Sequence, residues 1–215
     1  IEAVGIREIA ALSSWKAQCI DEALNVATYY AVNCKRNLLH FAERLDPGSR
    51  LGQFFSELFG IVTMTPDQVR RVERRIDELL DELTNHTLTG PHSQRFVSGT
   101  HRYSPQSTFA FVLPDDPDNR IYLLDRFFDP PMDIYQNRLS TPFNICAHAR
   151  ATVLIHEITH IKSLTEDLAY LDSMRPFHDL INVDIRGARL MQTDLANLRD
   201  TALSTLTPAT LLFKT

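Results

Sequence analysis

The chain has 215 residues, 44% of them hydrophobic, which suits one domain or a compact catalytic body with a helical subdomain. Its net charge is −5 and its basic residues are dispersed apart from Arg70, Arg71, Arg74 and Arg75, a pattern that disfavours nucleic-acid binding. No apolar run approaches the roughly 20 residues a membrane span needs, and three cysteines are too few for a small secreted fold built on disulfides.

In chain order, residues 2–44 read as helix. Ile6, Ile9, Leu12, Trp15, Cys19, Ala23, Val26 and Tyr30 recur at the spacing of one helix face, and Ser13-Ser14 is the natural point of division. Asp46-Pro47-Gly48-Ser49 is a turn, and residues 51–59 form a short aromatic-rich helix ending at Gly60. Thr65 as N-cap, Pro66 at the first helical position and Asp67 behind it open a second long helix that runs to about Thr84. Val69, Val72, Ile76, Leu79, Leu80 and Leu83 face inward on it. The arginines alternate with Glu73, Asp77, Glu78, Asp81 and Glu82 and read as a solvated face of i, i+4 pairs. Residues 85–94, with Gly90-Pro91, read as a polar loop.

The period then changes. Residues 95–103, 108–113 and 120–124 read as strands, with a turn over 114–119. An irregular stretch from Asp129-Pro130-Pro131 leads to a helix over about 143–164, and apolar residues return at helical spacing over 177–206, before Pro208. Cys19, Cys34 and Cys146 sit in apolar helical contexts and read as buried free thiols. No signal peptide is visible and the first residue is Ile, so the expectation is a mature product or a domain of a longer protein.

The most informative segment is His156-Glu157-Ile158-Thr159-His160, within the apolar run Ala151-Thr152-Val153-Leu154-Ile155. Residues four apart on a helix differ by about 40° around the axis, so both imidazoles point the same way. Two neutral imidazoles so placed bind one Zn²⁺, and the intervening glutamate poises a water for attack. Val153, Leu154, Ile158 and Ile161 pack the helix into a core, and neither Gly nor Pro interrupts residues 143–164. A catalytic zinc takes three protein ligands. Glu166, Asp167, Asp172 and His178 all follow His160, and helix geometry does not choose among them. His148 lies about 80° around the helix from His156 and reads as a supporting or surface residue. His178-Asp179 reads as a base–orienter pair or, equally well, as a polar helix start after Pro176, and Asp184 is a candidate to orient a zinc histidine.

HExxH followed by Leu164-Thr165-Glu166-Asp167-Leu168-Ala169-Tyr170-Leu171 resembles the aspzincin metalloendopeptidases, the family of deuterolysin and the peptidyl-Lys metalloendopeptidases. That family's second motif is Gly-Thr-x-Asp-x-x-Tyr-Gly; here Thr, Asp and Tyr match and both glycines are replaced. Residues 109–117 and 121–124 are similar to the family's paired strands before the zinc helix, and Phe127-Phe128 also has a counterpart there. The resemblance covers about residues 95–172. It implies zinc on His156, His160 and Asp167, Glu157 as general base, and Tyr170 as donor to the developing oxyanion. The step from His160 to Asp167 is short, so the turn between them must be tight without glycine, and Glu166 is an alternative ligand.

The expected fold is α+β and zincin-like: an N-terminal helical lobe over 1–90, and a zinc-binding catalytic portion over 91–215 with a small antiparallel or mixed sheet beside the HExxH helix, together one compact catalytic domain. The expected function is zinc-dependent endopeptidase action on extended protein or peptide substrate, whose backbone pairs with an edge strand, either 109–113 or 120–124. A weaker resemblance is to metallopeptidase modules of large bacterial toxins and effectors, which implies a soluble domain secreted or translocated within a longer protein. The rivals are an inactive zincin scaffold that binds a partner, and a zinc amidase acting on a non-protein amide.

Overall fold

The computed structural model describes residues 3–59, 64–99, 108–130 and 145–165. Their chain order is β1 (Ala3–Val4), α1 (Ile6–Leu12), α2 (Ser14–Ala42), α3 (Arg50–Phe59), α4 (Pro66–Leu83), α5 (His86–Thr89), β2 (Phe96–Ser98), β3 (Ala110–Val112), β4 (Ile121–Leu123), α6 (Asp125–Phe128) and α7 (Ile145–Ser163). The fold class is mixed α+β, and the helices dominate. No helix of the described residues is long and apolar enough to cross a membrane.

Local chemistry accounts for several boundaries. Ser13 is extended and separates α1 from α2, at the division the two serines predict. At the start of α4 the backbone N–H of Gln68 donates to Thr65 Oγ1 (3.3 Å) and that of Thr65 donates to Gln68 Oε1 (2.7 Å), a reciprocal capping box. Pro66 gives up no helical hydrogen bond at the first position.

Among the described residues four short strands form one mixed sheet in the order β1-β2-β4-β3. β1 runs antiparallel to β2, β2 parallel to β4, and β3 antiparallel to β4. The sequence pattern predicts helix where β1 lies. The pairing of β1 depends on Gly5, which turns the chain at a φ of 95°, where an added Cβ would lie 2.5 Å from the Ser93 carbonyl oxygen. The three later strands are shorter than their sequence pattern predicts, and a helical turn, α5, replaces part of the predicted loop. Asn85 starts α5 by accepting the Thr87 N–H on its side chain (2.9 Å), a local signal of the Asx type. α6 follows β4 directly.

The β3–β4 connection is held by a buried acid. Asp116 accepts from the Asp118 N–H (3.0 Å) and Tyr122 Oη (2.8 Å), and Arg120 lies beside it. Burial pushes this carboxyl up, but those hydrogen bonds and the Arg120 charge outweigh it and hold the group below its ordinary range. On the strands themselves Phe111 and Tyr122 are cross-strand partners with rings stacked at 4.9 Å.

The described residues fall into two compact units. The first holds Ile1–Val32 and Glu78–Lys162; the second includes Asn33–Asp77. Helical residues before 90 therefore contribute to both. The first unit has a continuous core in which Ile9, Ile20, Leu83, Phe96, Phe127, Leu154 and Ile158 are all buried. In the second, Leu38, Phe41, Phe55, Val72 and Ile76 are buried, with Phe41 and Phe55 rings 5.2 Å apart. None of the three cysteines forms a disulfide; Cys19 is buried, where burial pushes its thiol up, whereas Cys34 and Cys146, also expected inside, are exposed and half-buried respectively.

Candidate metal centre

The HExxH segment lies in the second half of α7. The helix is uninterrupted through it, as the absence of Gly and Pro predicts, and Leu154 and Ile158 are fully buried in the first unit's core. Val153 and Ile161 pack against the same core from its margin. The face bearing the histidines is thus fixed by what the opposite face buries.

His156 Nε2 and His160 Nε2 are 3.1 Å apart, with ring centroids 4.6 Å apart and planes at 86°. Two nitrogens on one tetrahedral zinc, each about 2.0–2.1 Å from it, lie roughly 3.3–3.4 Å from each other. The pair therefore fits a shared cation with an adjustment of a few tenths of an ångström. Without a cation the same distance suits one ring donating an N–H to the other. Binding zinc requires both rings to present a lone pair at Nε2, which places the remaining proton of each on Nδ1.

Glu157 is 5% exposed, so the acid sits in the protein and not on a wet helix face. Among the described residues no group of three His, Cys, Asp or Glu side chains is placed to hold a metal ion. The candidates for a third ligand, Glu166, Asp167, Asp172 and His178, lie outside the described residues, as do Tyr170 and Asp184.

The turn after the helix bears on that third ligand. Leu164, which stands where the resembling family has its first glycine, takes a φ of 50°. The chain thus makes the left-handed turn that a glycine would ease, using a leucine that is 78% exposed. A left-handed conformation costs a side-chain-bearing residue about 1–2 kcal/mol, and an exposed leucine recovers little by packing. Leu164→Gly is accordingly expected to stabilise the protein by about 0.5–1 kcal/mol after the flexibility of glycine in the unfolded chain is counted. A denaturant midpoint that stays put or falls would show that the leucine is held by contacts worth more than the strain.

His148 is no part of this pair. Its Nδ1 meets the hydroxyl of Tyr30 from α2, with ring centroids 5.3 Å apart. Burial pulls the His148 pKa down and pushes that of Tyr30 up, which keeps both groups neutral, with the Tyr30 hydroxyl donating a hydrogen bond to the imidazole Nδ1. Further along α7, Arg150 is 6% exposed and spans to α6, its Nε donating to the Phe127 carbonyl (3.0 Å) and its Nη2 to that of Phe128 (2.6 Å).

One group near the site belongs where the sequence did not put it. Glu82, read as part of a solvated face, is 1% exposed and sits between Arg95 (Oε1 to Nη2, 2.7 Å) and Lys162 (Oε2 to Nζ, 2.7 Å). Lys162 is in the last turn of α7. The available signal was its place at the margin of the apolar stripe, three residues from Leu79 and one before Leu83. Comparison of the chain with protein-family models, with curated proteins and with solved structures yields no match.

Proposed function

We propose that the protein is a zinc-dependent endopeptidase of the aspzincin type, with a zincin-like arrangement of its helix and sheet. The observation that carries this reading is the pair of Nε2 atoms 3.1 Å apart on a buried helix with the acid Glu157 between them. His156, His160 and Asp167 hold the ion. Zinc there supplies Lewis acidity, which acidifies water and polarises a carbonyl. Glu157 takes the proton of the attacking water and delivers it to the leaving amine. Tyr170 donates its hydroxyl proton to the oxygen on which negative charge develops. Extended substrate pairs with β3, which among the described residues has a sheet neighbour on one side only, whereas β4 is flanked on both. Delivery as a module of a bacterial toxin or effector completes the proposal.

The test is metal analysis of the purified protein, then chelator competition on variants. Asp167→Ala is expected to release zinc, weakening affinity at least about tenfold, while Glu166→Ala keeps it. The reverse result moves the third ligand to Glu166. A protein that takes up no zinc is a partner-binding scaffold, and one that binds zinc without cleaving denatured proteins is an amidase of another kind.

A further inference from the structure

We infer that Glu82, Arg95 and Lys162 form a tether that positions the histidine pair, an inference that rests on the zinc reading above. A helix is weakest at its end. The last carbonyls lack partners within the helix, and the last turn frays first. α7 ends at Ser163, so His160 stands in its final turn while His156 lies a full turn deeper. The chain then leaves through the strained Leu164. A cation site made by these two rings therefore has one ligand on firm helix and one on the turn with least intrinsic support.

Lys162 is in that same turn. Its ammonium lies 2.7 Å from Glu82 Oε2, and because the contact lacks hydrogen-bond geometry its hold is through charge. Glu82 belongs to the end of α4 and is nearly inaccessible at 1% exposure. Its other oxygen takes the Arg95 guanidinium, whose Nε also donates to the Asn119 carbonyl (2.7 Å). Arg95 precedes β2 directly, and its own carbonyl accepts the Ile121 N–H at the start of β4 (2.7 Å). The carboxylate is thus fastened to the sheet, and Lys162 fastens the end of α7 to the carboxylate.

Charge balance alone does not require this arrangement. Arg95 by itself neutralises Glu82, and a second cation leaves the cluster positive. What Lys162 adds is a link from helix to framework through a buried acid: its own side chain is 37% exposed, yet removing it leaves the buried Oε2 of Glu82, which accepts no hydrogen bond, without its charge partner. Lys162 and Glu82 are positioning residues: they touch neither zinc nor substrate and act through the orientation of His160.

The experiment uses the full chain and two readouts: amide hydrogen exchange of residues 160–163 without metal, and the Zn²⁺ dissociation constant by chelator competition. Lys162→Met, which keeps the apolar stem, is expected to lower exchange protection of those amides about tenfold and weaken zinc binding about 10–100-fold. Lys162→Arg is expected to restore both, since charge is what the contact supplies. Glu82→Gln should follow Lys162→Met. Asp116→Asn, in the β3–β4 turn, controls for a general loss of stability and should leave zinc affinity unchanged. Wild-type protection and affinity in Lys162→Met overturn the inference, as does an equal loss of affinity in Asp116→Asn. Lost protection in Lys162→Met, in a chain that takes up no zinc even as wild type, supports the tether and overturns the zinc reading.

Discussion

Glu157→Gln is expected to reduce peptide hydrolysis by about 10²–10⁴-fold or more while leaving zinc bound. Glutamine keeps the shape of the side chain and removes its basicity, and Glu157 is assigned no metal bond. The predicted signature is therefore a fall in kcat with an unchanged metal content, measured on the same preparation. Burial sharpens the expectation. At 5% exposure the acid is shielded from bulk water, and little solvent is at hand to replace it as proton acceptor. Activity retained within a factor of a few would remove Glu157 from the mechanism. Loss of zinc in this variant would instead make the glutamate a ligand or a support for one.

Arg150→Met carries the largest expected effect on stability. The guanidinium is buried and donates to two carbonyls, those of Phe127 and Phe128, at the end of α6. Methionine fills much of the same space but offers no donor, so two carbonyls lose their partner in a region that water does not reach. With about 1–3 kcal/mol for each buried group left unsatisfied, the loss is about 2–5 kcal/mol. For a protein of 215 residues that corresponds to a drop in Tm of about 5–20 °C. The effect reaches the candidate site, because Phe127 and Phe128 share a core with Leu154 and Ile158 of α7. A Tm within about 2 °C of wild type would mean that the carbonyls find other donors.

What the sequence determined by itself is what the backbone decides over a few residues. The shared direction of His156 and His160 needs only an unbroken helix, and the start of α4 needs only Thr65, Pro66 and Gln68 in their places. The break at Ser13 and the inward stripe Val69, Val72, Ile76, Leu79 and Leu83 are of the same kind, since one helical period sorts them. Asp167 and Tyr170 rest on resemblance, because a ligand that returns from beyond a turn is not fixed by helix period. Tertiary structure alone decided that Ala3–Val4 joins a sheet, that among the described residues β3 and not β4 is at the edge, and that Glu82 is buried between Arg95 and Lys162. The reason is physical: strand neighbours and ion pairs join residues far apart in the chain, and their free energy depends on desolvation that no local pattern records.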